Sequence, residues 1–233
     1  MTPGQRLPGS DPLKIGILGG SFNPVHLGHV ELCVRMLKIL PLSKVLLIPN
    51  AAPPHKDERQ LGFEERVQLL RAAIKGREGL GIDLSEQGGS VHYTYDTLKG
   101  LKGKSPGDGL YFAMGMDSLS TLHTWHKGFE LTQFASLVVF ERRGWELEDL
   151  SPEVRDFLGT QKVLKKGDGL AGAPGTRCVI MTGEYLSEAS STQARGMLSK
   201  YYENPTPESK KALLGLLDTQ VIDLILDHGW YKI

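Results

Sequence analysis

The sequence predicts an α/β fold in which a doubly wound, Rossmann-like parallel sheet is followed by a helical C-terminal part. Short apolar runs of strand length alternate along the chain with longer segments of helical spacing. This alternation is typical of parallel strands joined by right-handed helical crossovers. The first run ends in Gly19-Gly20, just before a helical segment. In such sheets the ligand crevice lies outside the carboxyl ends of the strands.

The first half of the chain supplies three strands and three helices. Apolar runs and prolines or glycines mark the strands, and apolar side chains three or four positions apart mark the helices. The expected ranges, in order, are strand 14–18 with a turn at Gly19-Gly20, helix 27–40, strand 44–49, helix 63–74, weak strand 81–84 and helix 93–101.

The second half continues the alternation and ends in helices. The expected ranges are strand 110–114, helix 117–122, strand 135–140, strand 176–182, helix 191–202 and helix 218–227. Residues 144–174 contain charges, a Lys-Lys-Gly-Asp-Gly turn and an Ala-Gly-Ala-Pro-Gly run. This composition predicts a surface loop over the second half of that stretch.

Length and charge limit the class of protein. The 233 residues fit one domain, which we expect over 13–233 after a Pro- and Gly-rich flexible tail over 1–12. Lys plus Arg equal Asp plus Glu at 27 each. A neutral chain has no global field that holds a polyanion, so we expect no nucleic-acid partner. Any phosphorylated ligand requires a local site of a few cations and backbone N–H groups.

The cysteines and the hydropathy favour a cytoplasmic protein. Cys33 and Cys178 lie in apolar stretches without a CxxC spacing, so reduced, buried thiols are expected. The start of the chain lacks the apolar run of a signal peptide, and no segment approaches the ~20 apolar residues of a membrane helix. We expect no membrane partner, while assembly into a homo-oligomer is compatible with the sequence.

The most informative segment joins the first strand to the first helix. It reads Gly-Gly-Ser-Phe-Asn-Pro-Val-His-Leu-Gly-His over residues 19–29. The two glycines allow close approach of backbone to a ligand, and a helix start offers unpaired N–H groups and the positive dipole end to phosphate. His26 and His29 lie three residues apart and therefore share one face of the first turn. Gly28 leaves room there for a base or a ribose.

Each part of this segment has a simpler interpretation. A Gly-Gly pair after a strand is usually only a turn, and a histidine pair of this spacing is more often a surface coincidence or a metal site. The coincidence of strand, glycines, proline-containing turn and His-x-Gly-His at a helix start favours the functional interpretation.

The segment resembles the (H/T)xGH signature of the nucleotidylyltransferase superfamily. Further motifs are Pro-Pro-His-Lys at 53–56, Tyr-Thr-Tyr-Asp-Thr at 93–97, Gly-Met-Asp-Ser-Leu at 115–119 and Ser-Ser-Thr-Gln-Ala-Arg at 190–195. In this order they resemble the bacterial nicotinate-nucleotide adenylyltransferases, from about Lys14 to the C-terminus. Residues 144–175 do not match that pattern well.

The resemblance implies a fold of the HxGH nucleotidylyltransferase type and a set of site residues. Catalytic roles fall to His26, His29 and Arg195. The residues assigned to ATP are Gly19, Gly20, Ser21, Phe22, His26, Gly28, His29, Gly115, Asp117, Ser191, Thr192 and Arg195. The residues assigned to nicotinate mononucleotide are His55, Lys56, Thr94, Tyr95, Asp117 and Trp125.

Several of these assignments have structural alternatives. His55 and Lys56 could lie in a solvated loop, and Asp117 could cap a helix. Trp125 could be a core residue instead of a platform for the pyridine ring. Arg142 and Arg143 could contact a phosphate or stay solvated.

The chemistry implied is adenylyl transfer with release of pyrophosphate. The attacking phosphate is already ionised at neutral pH, so positioning and preorganised positive charge should supply most of the catalysis. The expected cofactor is Mg²⁺ carried by ATP, without dedicated protein ligands.

Three other functions fit parts of the sequence. One is a transferase of the same fold that uses nicotinamide mononucleotide, phosphopantetheine or a CTP-linked alcohol phosphate. Another is a zinc-dependent hydrolase, because His-x-x-His occurs at His26/His29 and at His123/His126. A zinc helix usually has an i, i+4 pair with a glutamate, however. The third is a nucleotide sensor without catalysis.

Overall fold

The computed structural model describes most of the chain. The described residues are 12–51, 61–88, 93–141, 149–165, 178–185, 187 and 189–232. The predicted flexible tail lies outside them apart from Pro12, and so do His55, Lys56, Arg142 and Arg143.

Strands and helices alternate along the described residues. The strands are β1 Lys14–Gly20, β2 Lys44–Pro49, β3 Leu80–Ile82, β4 Gly109–Gly115, β5 Ala135–Glu141, β6 Val163–Lys165 and β7 Val179–Tyr185. The helices are α1 Leu27–Ile39, α2 Phe63–Ile74, α3 Thr94–Lys104, α4 Met116–Ser120, α5 Pro152–Thr160, α6 Ser191–Glu203, α7 Pro207–Leu214 and α8 Thr219–His228. Two 3₁₀ turns, Leu122–Thr124 and Gly128–Gln133, precede β5.

The strands form one seven-stranded sheet in the order β3-β2-β1-β4-β5-β7-β6. Every pairing is parallel. The chain winds outward in one direction from β1 and in the other direction from β4. The carboxyl ends of β1 and β4 therefore flank the switch point at which a doubly wound sheet binds its ligand.

Alternate side chains of the strands enter two separate cores. In β4, Tyr111 and Ala113 join the cluster that contains the buried residues of α1, α2, α6, α7 and α8. Leu110, Phe112 and Met114 join the opposite cluster, with residues of α3, α4 and α5. Burial on both faces explains why the strands read as continuous apolar runs. The predicted doubly wound sheet and helical C-terminal part are confirmed.

Some local predictions were wrong. β1 continues through Gly20, so Gly19-Gly20 is the end of a strand and not a turn. The predicted surface loop contains β6, a three-residue strand that pairs with β7. α5 and α7 were missed although each begins with a capping residue followed by proline, Ser151-Pro152 and Thr206-Pro207.

The state of the cysteines and the hydropathy of the helices bear on two further predictions. Cys33 and Cys178 are free and buried, as predicted. Within the described ranges, no helix has the length and hydropathy required to cross a membrane.

Candidate active site

Phe22 turns the chain from β1 into α1. Its backbone lies in the left-handed region at φ 48°, which residues other than glycine seldom adopt. Its side chain is fully buried and contacts the His29 ring edge-on, with 4.9 Å between the ring centroids. The buried ring thus stabilises an uncommon backbone conformation and supports one of the two histidines.

His26 and His29 lie side by side at the start of α1. His26 occupies the N-cap position with an extended backbone, and its ring centroid is 3.6 Å from that of His29. The backbone N–H of His26 donates to Nδ1 of His29 over 3.2 Å. The side chain of His29 thereby satisfies a backbone donor that the helix start would leave unpaired.

This hydrogen bond determines the tautomer of His29. Because Nδ1 accepts, a neutral His29 ring carries its proton on Nε2 and can donate from there. Burial and, second, the neighbouring charge of His26 hold the pKa of His29 well below its ordinary value of 6.5. His29 is therefore a neutral donor at physiological pH.

Gly28 allows the two histidines to pack closely. A Cβ at this position would lie 3.1 Å from Nδ1 of His26 and 3.2 Å from Cβ of Ser187. Both separations are shorter than ordinary van der Waals contact. The absence of a side chain at Gly28 therefore allows the His26 ring to pack against the helix start.

The first turn of α6 contacts the same loop. The hydroxyl of Ser191 donates to the carbonyl of Pro24 over 2.9 Å. The guanidinium of Arg195 donates to the carbonyl of Asn23 over 2.6 Å and to the hydroxyl of Thr192 over 3.2 Å. These bonds place the cationic end of Arg195 at the β1–α1 loop.

A cleft of about 240 Å³ opens at the carboxyl ends of β1 and β4. Eight of the sequence-predicted site residues line it together: Gly19, His26, Gly28, His29, Gly115, Asp117, Trp125 and Ser191. They come from three separate parts of the sequence. The fold therefore brings about half of the predicted site residues into one cavity at the switch point of the sheet, whereas Gly20, Ser21, Phe22, Thr192 and Arg195 lie outside its lining.

Asp117 does not occupy the N-cap of α4. That position belongs to Gly115, and Asp117 lies one residue inside the first turn. A carboxylate in the first turn still interacts favourably with the helix dipole, so the ribose contact and the purely structural role of Asp117 both stay predictions.

Tyr95 lies outside the cleft lining. It is buried against Phe134, with ring centroids 5.2 Å apart, and the Lys127 ammonium lies 4.6 Å from its ring. The side chain of Tyr95 thus packs in the core beneath the start of α3. Thr94 is the first residue of α3, with Tyr93 as the N-cap.

Arg66 was missed by the sequence analysis. Its side chain from α2 is buried and donates to the carbonyl of Ser21 over 2.8 Å, to the carbonyl of Asn50 over 2.8 Å and to Oδ1 of Asn50 over 3.1 Å. Burial lowers its pKa from the ordinary value. Arg66 lies four residues before Leu70 and therefore on the apolar face of α2. An arginine at such a position was the only sequence signal that its side chain is buried.

Glu86 was also missed, and it joins two neighbouring segments. Its buried carboxylate accepts from the backbone N–H of Ala51 over 3.1 Å and from the hydroxyl of Thr97 over 2.6 Å. It thereby ties the end of β2 to the first turns of α3. The sequence around Glu86 gives no sign of either contact.

The fold is that of cytidylyltransferase-like nucleotidyltransferases, and that domain family matches residues 17–197. A protein of Shewanella sp. strain MR-7, named probable nicotinate-nucleotide adenylyltransferase, is 34% identical over 188 residues, which are 80% of this chain and 88% of that protein. A protein of the same name from Maridesulfovibrio salexigens is 36% identical over 187 residues, covering 78% of this chain and 85% of the relative. The chain belongs to the nicotinate-nucleotide adenylyltransferase family.

Solved structures show the same fold. The nicotinic acid mononucleotide adenylyltransferase of Plasmodium falciparum complexed with NaAD superposes with a TM-score of 0.71 at 19% identity, over 94% of this chain and 97% of that chain. The same enzyme complexed with APC gives a TM-score of 0.68 at 20% identity over the same shares. The family membership confirms the resemblance and the enzyme class, and it does not support a zinc hydrolase or a non-catalytic nucleotide sensor.

Gly28→Ala tests whether the close packing of the histidines matters for activity. We expect kcat to fall at least ~10-fold, because a displaced ring loses part of a transition-state contact. Alanine is the better helix former, so helix propensity does not oppose the change. The measurement is pyrophosphate release together with thermal unfolding.

Gly100→Ala is the matched control in α3, where a new Cβ meets nothing within 4 Å. It should leave kcat unchanged and stabilise the fold by roughly 0.5–1 kcal/mol. Equal activity of the two variants would show that Gly28 has no special role.

Proposed function

We propose that the cleft joins ATP to nicotinate mononucleotide, forming nicotinate adenine dinucleotide and pyrophosphate. A phosphate oxygen of the mononucleotide attacks the α-phosphorus of ATP and forms the new P–O bond. The bond from that phosphorus to the bridging oxygen breaks, and its electron pair leaves with pyrophosphate. No proton transfer is required, so the protein needs only to position two anions and to stabilise the developing charge. The observation that carries the proposal is the His26–His29 pair in a cleft at the switch point.

His29 acts through its Nε2–H. A neutral donor that is fixed before the reaction starts can bind a phosphate oxygen without reorganising as charge develops. His26 serves as the second imidazole on the same phosphates. The 3.6 Å separation of the two rings directs both to one group.

Arg195 and the start of α6 hold the outer phosphates. A guanidinium has five N–H donors, and two of them contact Asn23 and Thr192. The others are available for phosphate oxygens, which arginine binds in a bidentate manner. The first N–H groups of α6, at Ser191 and Thr192, add the positive end of a helix dipole.

The backbone near Gly19, Gly20, Ser21 and Phe22 contributes to the ATP site by close approach. Phe22 is fully buried, so only its backbone can reach the nucleotide. Gly115 ends β4 and Asp117 follows it, on the other side of the cleft. We assign Asp117 to a ribose hydroxyl, for which a carboxylate is a strong acceptor.

Mg²⁺ would enter with the triphosphate. Within the described residues, no group of three or more His, Cys, Asp or Glu side chains could hold a metal ion. Magnesium usually keeps several waters and relies on substrate phosphates. In this proposal the ion is therefore held by the triphosphate of ATP and by water.

The pyridine ring is assigned to Trp125 and the start of α3. Trp125 lines the cleft and offers a flat face for the ring. The N–H groups of Asp96 and Thr97 donate to the carbonyl of Tyr93. Those of Thr94 and Tyr95 lie in the first turn and have no acceptor within the helix. Those two amides can bind the nicotinate carboxylate. Contacts from His55 and Lys56 stay a prediction.

His29→Ala should lower kcat at least ~100-fold, the usual effect of removing one transition-state donor. His29→Gln, whose amide nitrogen can approximate Nε2, should recover roughly 10-fold relative to alanine. Steady-state pyrophosphate release and a thermal melt provide the comparison. A folded alanine variant within a few-fold of the original chain would refute the role of His29.

Nicotinate mononucleotide should be used far better than its amide. The helix-start amides favour an anion by roughly 0.3–1 kcal/mol or more, and an amide ligand would leave a buried donor unpaired at a cost of about 1–3 kcal/mol. Together these effects correspond to a preference of roughly 10- to 1,000-fold in kcat/KM. The test compares kcat/KM for the two acceptors in one buffer. Equal values, or preference for the amide, would remove the nicotinate assignment and leave nucleotidyl transfer intact.

A further inference from the structure

Within the described residues, the segment beyond α6 makes two hydrogen bonds to the β1–α1 loop and the start of α1. The backbone N–H of Leu27, the first residue of α1, donates to the carbonyl of Leu216 over 2.8 Å. The hydroxyl of Tyr231, beyond the end of α8, donates to Oδ1 of Asn23 over 2.6 Å. The loop before His26 and the start of α1 are thus held by a segment about 190 to 208 residues further along the chain.

The turn that carries Tyr231 is itself anchored. Gly229 ends α8 at φ 65°, and Tyr231 lies in the left-handed region at φ 64°. The N–H of Trp230 donates to the carbonyl of Ile225 over 3.0 Å. The hydroxyl of Tyr202, from α6, lies 3.0 and 3.2 Å from the carbonyl oxygens of Trp230 and Ile225, and its single proton is shared between them. The turn is therefore attached both to α8 and to the helix that carries Arg195.

Tyr231 is a donor whose state does not change near neutral pH. Burial raises the pKa of its hydroxyl far above the ordinary value, although the nearby charges of Arg195 and Arg66 act in the opposite direction. A protonated hydroxyl at this distance forms a short hydrogen bond to the Asn23 amide oxygen.

Asn23 connects this donor to the site. Oδ1 accepts from Tyr231 and from the backbone N–H of Leu61 over 3.2 Å, and a backbone N–H can only donate, so the amide orientation is fixed. Its buried Nδ2 has no hydrogen-bond partner within the described residues. The side-chain amide of Asn23 is thus oriented through its oxygen alone. The backbone carbonyl of the same residue accepts from the guanidinium of Arg195.

We propose that Tyr231 is a positioning residue for adenylyl transfer, whose hydroxyl fixes Asn23 and thereby the placement of Arg195 and of the histidine-bearing start of α1. The inference rests on the proposed function and adds to it a residue that lies outside the cleft. Tyr231 acts through Asn23, without contact to the reacting atoms.

Tyr231→Phe removes the hydroxyl and keeps the ring. The loss of one buried hydrogen bond corresponds to roughly a 3- to 10-fold effect, which we expect in kcat, with each KM changed less than about two-fold. Tyr202→Phe is the matched control: it also removes a hydroxyl that contacts the turn, but it leaves the backbone bond from Trp230 to Ile225 and both hydrogen bonds to Asn23 Oδ1 in place. It should lower the melting temperature comparably and leave kcat within about two-fold.

A second arm tests whether Tyr231 acts through Asn23. In an Asn23→Ala background, Tyr231→Phe should change kcat less than about two-fold, because residues of one network are non-additive. Full additivity of the two substitutions would overturn the coupling.

Amide hydrogen exchange over residues 21–29 separates this inference from the proposed function. Tyr231→Phe should accelerate exchange there several-fold, and Tyr202→Phe should not. If the original chain releases no pyrophosphate from ATP and nicotinate mononucleotide, the proposed function fails. The exchange result then still shows whether Tyr231 holds the β1–α1 loop in place. Unchanged exchange, or equal losses of kcat in the two phenylalanine variants, would overturn the proposal.

Discussion

The structure depends on how the backbone of the β1–α1 loop obtains its hydrogen bonds. A buried loop cannot leave its carbonyl and N–H groups unpaired without a loss of about 1–3 kcal/mol for each. In this chain the partners come from distant elements: Arg66 for Ser21, Arg195 for Asn23, Ser191 for Pro24 and Leu216 for Leu27. The loop is rigid because parts of the chain that are remote in sequence converge on it.

The convergence has a chemical consequence at His29. Other elements pack around the loop and leave His29 half-buried. The resulting desolvation of its ring is the main reason for its lowered pKa. Because the pKa of His29 is lower in the folded chain, a neutral His29 contributes fully to the free energy of unfolding above pH 6.5. This contribution is lost as the pH falls through the folded-state pKa. The same desolvation makes a neutral Nε2–H an effective donor to phosphate, because a hydrogen bond is stronger where water is excluded.

Sequence reasoning recovered the elements whose signals are local. Alternating apolar runs indicated the parallel sheet, and the His-x-Gly-His segment indicated the cleft, because strand ends and helix starts are encoded within a few residues. The pairs Ser151-Pro152 and Thr206-Pro207 are typical helix starts and could have predicted α5 and α7. The polar composition around them favoured loops instead. The three-residue β6 carries too few residues for a periodic signal.

The contacts of Arg66, Glu86 and Tyr231 were beyond such reasoning. Each joins segments between 11 and 208 residues apart, and neither an arginine on a helix face nor a tyrosine near the C-terminus specifies its partner. Long-range hydrogen bonds depend on the finished topology, so only the folded chain displays them.

The protonation state of His29 tests most directly whether a rigid, desolvated loop underlies the site. Nitrogen-detected NMR of the imidazole, followed as the pH falls from neutral through 6.5, reports both the tautomer and the pKa. The account predicts a neutral ring that is protonated on Nε2 throughout this range, with Nδ1 as the acceptor. A ring protonated on Nδ1, or one that becomes an imidazolium near its ordinary pKa, would contradict it.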